Sequence, residues 1–295
     1  GIVGITGSDR SVEILLNGLK SLEYRGYDSA GIYVNDQAGY DYLVKRPGRI
    51  SNLESALTPD VHGLAGIGHT RWATHGEPSE ANAHPQYSTD ERFYLVHNGV
   101  IENYKQLKEE YLSDVDFKSQ TDTEVIVQLV DKFVVEYEMD TKAALVKVLR
   151  LISDDSAYAF VLIDKQEPDT LFVAKNKSPL LVGLADGYNM VGSDAFSMIK
   201  ETNQFMEIDD HELVIVKPDN VTVQDFDGNE KNRKPFTVDM DANAADKGAY
   251  PFYMLKEIDE QPAVMRRLVS EYLDADGQPM VEEQMLADIA EDRKS

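Results

Sequence analysis

An α+β fold is predicted by three features of this chain. Strand-length apolar runs lie on both sides of a central group of helix-period segments, Asp-Gly and Asn turns separate several of the later runs, and polar, glycine-bearing segments sit at the ends of the runs. Strands arranged this way around helices fit two antiparallel sheets covered by helices.

The elements follow in order. Gly1–Gly7 is a short apolar strand flanked by glycines. A helix is expected from about Asp9 to Tyr24, because Val12, Leu15, Leu16, Leu19 and Leu22 recur at helical spacing and Gly26 lies just beyond. Strands are expected at Gly31–Asn35, Tyr42–Arg46, Gly63–His69 and Phe93–His97, then helices at Asn103–Tyr111, Thr123–Tyr137 and Thr141–Ile152. The middle helix places Ile126, Leu129, Val130, Phe133 and Val134 on one side, with Thr121 or Asp122 as its N-cap. Short strands then recur at Tyr158–Ile163, Leu171–Ala174, Leu180–Leu184, Asn189–Val191, Glu212–Val216 and Val221–Gln224. Residues 226–250 read as a linker, and helical signals return at Phe252–Asp259, Ala263–Leu273 and Val281–Asp292.

Composition narrows the function classes. A length of 295 residues with 42% hydrophobic residues allows one large or two ordinary domains with a substantial core, and no stretch approaches a membrane span. The absence of cysteine argues against a disulfide scaffold and suits a reducing cytoplasm. A formal charge of −24 argues against a nucleic-acid partner, which needs clustered Lys and Arg, and reads as a hydrated acidic surface.

Four polar segments carry the chemistry: Arg25–Ser29, His69–Gly76, His97–Gly99 and Ser119–Glu124. Arg71 is a permanently charged fork for a carboxylate and Asp122 an anion for an ammonium, so the pair can grip both ends of a free α-amino acid. The Asn98 amide and the Gly99 N–H form a workable oxyanion hole for acyl transfer, each donor contributing about 3–4 kcal/mol. No nucleophile accompanies them, since cysteine is absent and no G-x-S-x-G elbow occurs. Four histidines, His69, His75, His84 and His97, invite a metal reading, but their spacing lacks an H-E-x-x-H frame and loop-shaping hydrogen bonds explain them better.

The blocks Leu22–Gly31, Gly68–Gly76, Asn82-Ala83-His84-Pro85, His97–Asn103 and Thr121–Glu124, with Gly1-Ile2-Val3-Gly4 ahead of them, stand in a familiar order. So do Asp246-Lys247-Gly248, Met254–Ile258 and Glu260-Gln261-Pro262 near the end. Together they resemble the glutaminase half and the inter-domain junction of the glutamine:fructose-6-phosphate amidotransferases, a class II, N-terminal nucleophile family. The resemblance implies a four-layer α/β/β/α sandwich over residues 1–225, the linker at 226–250, and in 251–295 the opening helices of a sugar-phosphate isomerase domain. It assigns the substrate L-glutamine to Arg71, Trp72, Thr74, His75 and Asp122, with Trp72 on a closing loop, and the oxyanion to Asn98 and Gly99. Arg25 would orient the nucleophile's surroundings, although an ion pair with Asp28 or a Glu explains it equally well.

That nucleophile is a Cys immediately before Gly1 in the family, with its own α-amino group as base. Most of the isomerase half, which would bring fructose 6-phosphate, is expected after Ser295. The chain as it stands is therefore expected to be inactive, and the full-length enzyme a cytoplasmic homo-oligomer requiring no cofactor and no metal. A non-catalytic glutamine-binding module is the alternative.

Overall fold

The structure is a computed structural model, which describes residues 1–72, 76–239 and 253–272. The chain divides into two compact units, Gly1–Ala245 and Asp246–Ser295. The first contains two antiparallel sheets. Its strands are β1 (Ile2–Thr6), β2 (Ser29–Asn35), β3 (Asp41–Pro47), β4 (Ala65–Arg71), β5 (Gln86–Tyr87), β6 (Phe93–Val100), β7 (Ala157–Asp164), β8 (Leu171–Asn176), β9 (Leu181–Leu184), β10 (Asn189–Gly192), β11 (Gln204–Glu207), β12 (Glu212–Val216), β13 (Val221–Asp225) and β14 (Phe236–Thr237). One sheet has the order β14-β11-β9-β10-β1-β4-β2-β3, the other β13-β12-β8-β7-β6-β5.

The strand period of two sorts side chains into layers. In β6 and β7, Phe93, Leu95, Phe160 and Leu162 face the helices α3 (Tyr104–Tyr111), α4 (Asp122–Glu136) and α5 (Thr141–Leu151). Their alternates Tyr94, Val96, Ala159 and Val161 meet Ile2, Tyr33 and Ile67 of the facing sheet. The Tyr33 and Tyr94 rings stack across that interface with centroids 3.7 Å apart. On the outer side of the first sheet, Val3, Ile5, Ile32 and Val34 pack with α1 (Ser11–Ser21) and α2 (Ile50–Ala56). The result is the four-layer α/β/β/α sandwich.

Several boundaries differ from the sequence reading. The first helix stops at Ser21, and Glu23–Arg25 form a 3-10 turn, because the Glu23 side chain turns away to accept the Ile50 N–H at 3.1 Å. β6 runs on through Asn98 and Gly99 to Val100, paired along its length with β7. Part of the segment read as a linker adds β14 to the edge of the first sheet beside β11.

In the second unit, one helix, α6 (Tyr253–Tyr272), replaces the two expected at Phe252–Asp259 and Ala263–Leu273. It passes through Pro262, whose fixed φ suits a helix although its missing N–H costs one helical bond. The helix expected at Val281–Asp292 and the Asp246-Lys247-Gly248 junction lie outside the described residues. No helix among the described residues is long and apolar enough to cross a membrane.

An ionic cluster anchors the start of β6. Arg92 donates twice to the buried Asp164, at 2.9 and 2.8 Å, and the Thr141 hydroxyl donates to the same carboxylate at 2.6 Å. Beside it, burial and the neighbouring Asp90 push the Asp131 carboxyl of α4 up to about 7. A carboxyl raised in the folded state holds its proton longer than in the unfolded chain, so its contribution to stability falls as pH rises from about 4 to about 7.

Two measurements test this architecture. Phe160→Ala, which empties a fully buried site in β7, should cost about 3–5 kcal/mol in denaturant unfolding; a loss under about 1 kcal/mol would contradict the packing. Asp131→Asn should flatten the decline of the unfolding midpoint between pH 4 and 7 and leave the variant the more stable protein at pH 8. A decline as steep as that of the parent would reject the raised Asp131 carboxyl.

Candidate functional site

A cavity of about 370 Å³ opens where the two sheets meet the N-terminus of α4. Its lining includes Gly1, Arg25, Arg71, Trp72, Asn98, Gly99 and Asp122, so residues from all four polar segments share one space. Thr74 and His75, the other two residues expected there, lie outside the described residues.

Each group is positioned by a local device. The register of β1 against β4 sets Ile2 opposite His69, and the ladder extends by one pair. The Gly1 nitrogen donates to the Thr70 carbonyl at 2.7 Å while the Thr70 N–H donates to the Gly1 carbonyl at 2.9 Å. Burial, and after it Arg25, pushes the Gly1 amino group down to about 5, so this position favours an uncharged nitrogen. A backbone amide would make the same bond.

Arg71 is buried at the end of β4, and its guanidinium donates to the Glu77 and Gly76 carbonyls, both at 3.4 Å. Burial pulls it below its ordinary value, while the charges of Asp122 and Asp28 act in the opposite direction. Asn82 holds the first of these carbonyls in place: its amide donates to the Glu77 carbonyl at 3.1 Å and to the Gln120 side chain at 3.2 Å, and its oxygen accepts the Gln120 N–H at 2.8 Å. The loop beyond Arg71 is thereby tied to the segment leading into α4. The Gly26 backbone packs so closely on Arg71 and Trp72 that a Cβ would lie 2.8 Å from both.

At the head of α4, Thr121 is the N-cap, its hydroxyl accepting the Glu124 N–H at 3.3 Å. Asp122 is therefore released from capping. Its carboxylate accepts the Ile101 N–H at 2.8 Å and lies in the first helical turn, where the helix dipole favours an anion. Glu124, fully buried, accepts the Lys118 and Ser119 N–H groups at 2.9 and 2.6 Å and so folds the approach to the cap.

Asn98 is oriented by His69. The two side chains meet at 2.9 Å, Nε2 to Oδ1, and the His69 Nδ1 is buried without a partner. An unpaired lone pair at Nδ1 costs less than a buried N–H without an acceptor, so the proton sits on Nε2 and is donated to Oδ1. The Asn98 NH2 then points away from His69. Gly99 follows with φ +123°, and a Cβ there would fall 1.9 Å from the Ala157 carbonyl oxygen, so only glycine fits.

His69, His84 and His97 are engaged in such bonds. His84 Nδ1 accepts the His97 N–H at 3.3 Å, and His97 Nδ1 meets the Thr123 hydroxyl at 2.9 Å. Burial pushes His69 and His84 well below the usual imidazole range and His97 in the same direction. Among the described residues, no group of three His, Cys, Asp or Glu side chains is arranged to hold a metal.

Arg25 makes its ion pair with Asp194, at 3.5 Å, where Asp28 or a Glu was the expected partner. The solitary Trp72 is 56% exposed, touching the Tyr27 ring edge-on at 5.6 Å, so it is free of the core. Sequence reasoning missed Thr70, Pro179 and Ser193 in the lining. Ser193 accepts the Ile2 N–H at 3.0 Å, a pairing 191 residues apart that no local pattern announces. Thr70 carries a buried hydroxyl without a protein partner.

Known proteins resemble this chain in sequence and in fold. A family model described as a glutamine amidotransferase domain matches residues 59–227. The glutamine–fructose-6-phosphate aminotransferase (isomerizing) of Lactiplantibacillus plantarum is 62% identical over 286 residues, 97% of this chain and 47% of the relative. Its namesake from Streptococcus pneumoniae is 58% identical over 282 residues, 96% of this chain and 46% of the relative. The chain thus spans about half the length of the curated relatives it matches. The glutamine phosphoribosylpyrophosphate amidotransferase of B. subtilis, solved with ADP and GMP, superposes with a TM-score of 0.66 at 25% identity, covering 76% of this chain and 49% of that one.

The buried imidazoles give a direct test. A base whose folded value is depressed contributes stability that is present above its unfolded value, near pH 6.5, and is lost as pH falls below it. The ring signals of His69 and His84 should therefore stay flat in NMR titration from pH 8 to 6 while the fold is intact. A midpoint at or above 6.5 for either would contradict the site as drawn.

Proposed function

Because the chain belongs to the glutamine amidotransferase domain family, we propose that its cavity binds free L-glutamine and that, with a cysteine joined to the Gly1 nitrogen, it hydrolyses the side-chain amide to glutamate and ammonia. The observation that carries this reading is the convergence of Arg71, Asp122, Asn98, Gly99 and the leading end of β1 on one cavity. Its volume, about 370 Å³, lies at the small end of ordinary small-molecule sites.

In this reading Arg71 binds the α-carboxylate and Asp122 the α-ammonium, with Trp72, Thr74 and His75 closing over the ligand. A residue attached to the Gly1 nitrogen would continue β1 into the cavity, setting a thiol near the amide carbon. Attack forms a tetrahedral oxyanion that accepts from the Asn98 NH2 and the Gly99 N–H. Its collapse releases ammonia and leaves a glutamyl thioester, which water cleaves to glutamate. Arg25, held by Asp194, would keep its charge beside the leading end of β1, where a nearby cation disfavours protonation of the cysteine α-amino group that serves as base.

The names of the relatives extend the proposal. In the whole protein, residues 1–225 would supply ammonia, 226–250 connect, and 251–295 begin the domain in which fructose 6-phosphate is converted to glucosamine 6-phosphate in a homo-oligomer. Residues 1–295 alone should bind glutamine in calorimetric titration and release no glutamate.

With cysteine placed before Gly1, glutamate release should appear, and Arg71→Ala should raise the KM for glutamine by roughly 10- to 150-fold, the loss of about 1.5–3 kcal/mol of charge-assisted bonding. An unchanged KM would reject the carboxylate assignment. Binding without turnover in the cysteine-bearing chain would leave only a glutamine-binding module.

A further inference from the structure

A second cavity, of about 260 Å³, has Lys45, Lys118, Tyr87, Glu80 and Glu124 among its walls. Lys45, on β3, is only 7% exposed. Its ammonium has three protons to donate, yet its hydrogen bonding within the described residues amounts to one contact of 3.3 Å with the Ala81 carbonyl. The Lys45 Nζ lies 5.4 Å from the centre of the Tyr87 ring, and the Lys118 Nζ lies 4.4 Å from the same ring. Two ammonium groups therefore converge on one cavity.

The nearby carboxylates do not neutralise them by direct contact. Glu124 spends its two oxygens on the Lys118 and Ser119 N–H groups, with Gln128 adding a third donor at 3.4 Å. Glu80 pairs with Arg46 at 3.5 Å. Burial pushes Lys45 down to about 8; Glu124 and Glu80 oppose that shift and Lys118 adds to it. An ammonium this poorly satisfied is expensive to keep buried unless an anion completes its shell.

We propose that this cavity binds a phosphate-class dianion between Lys45 and Lys118. Glu80 and Glu124 also line the cavity, so the anion would be recognised through the two ammonium groups, neither of which has a carboxylate in direct contact among the described residues, and the volume admits either free phosphate or the phosphoryl group of a small monoester. The site is independent of glutamine chemistry.

The test is an NMR titration of the full chain, labelled at lysine, with inorganic phosphate at constant ionic strength. A parallel titration uses glycerol 3-phosphate, and acetate serves as the control. The Lys45 signal should shift saturably, its titration midpoint should rise from about 8, and the near-isosteric K45M and the surface variant K118M should each weaken phosphate binding at least about tenfold. Tighter binding of glycerol 3-phosphate than of phosphate identifies a monoester as the ligand, and the reverse identifies free phosphate. A non-saturable response, an equal response in K118M, or an equal response to acetate would overturn the proposal. Glutamine titration of the same samples keeps this outcome separate from the first cavity, since loss of glutamine binding leaves the phosphate result intact.

Discussion

The hydrogen bond between His69 and Asn98 is the constraint on which the site's geometry rests. His69 stands on β4 of one sheet and Asn98 on β6 of the other, so the 2.9 Å contact bridges the interface between the sheets at the cavity floor. Burial keeps His69 neutral, and in the neutral ring the proton on Nε2 gives the bond its sense, donated to the Asn98 Oδ1. A charged imidazole would need partners at both nitrogens, and Nδ1 has none. Packing of the two inner faces therefore does more than stabilise the fold. By excluding water from His69 it fixes which end of the Asn98 amide faces the cavity.

The head of α4 solves a related problem of competing demands. An Asp at the start of a helix is ordinarily recruited as its cap. Here Thr121 takes that role and Glu124, whose type and spacing suit a capping box, reaches past the cap to the Lys118 and Ser119 N–H groups. Asp122 is left with one backbone donor, Ile101, and an orientation into the cavity. Asn82 then connects this segment to the Glu77 carbonyl, which accepts from Arg71. The cationic and anionic ends of the proposed ligand site are thus set by one continuous run of hydrogen bonds.

What could be read from the sequence was what local pattern dictates. The apolar side of α4, the alternation in β7 and the four polar segments were legible because each is written in neighbouring residues. The missed elements depend on distant partners. α2 has no side-chain cap of its own at Arg49 and borrows Glu23 from 27 residues upstream. β5 and β14, two residues each, and β11, four residues, exist only by pairing with another strand. Ser193 entered the cavity lining for the same reason, through β10 pairing with β1. The extent of β6 was hidden by its own glycine, since a strand that continues through φ +123° is visible only once the Ala157 carbonyl is seen beside it.

Electrostatics complete the argument for a zwitterionic ligand. The buried Arg71 donates to the Glu77 and Gly76 carbonyls and lies in the field of Asp122 and Asp28. A ligand carrying a carboxylate alone would neutralise Arg71 but add an anion in the field of those two acids. An amine alone would meet Asp122 but add a cation in the field of Arg71 and Arg25. An α-amino acid brings both signs on one carbon and changes the net charge of the cavity by nothing. Selection for the side chain must then come from the uncharged donors, the Asn98 amide and the Gly99 N–H. Those two reward an amide whose oxygen takes on negative charge during reaction more than they reward one at rest.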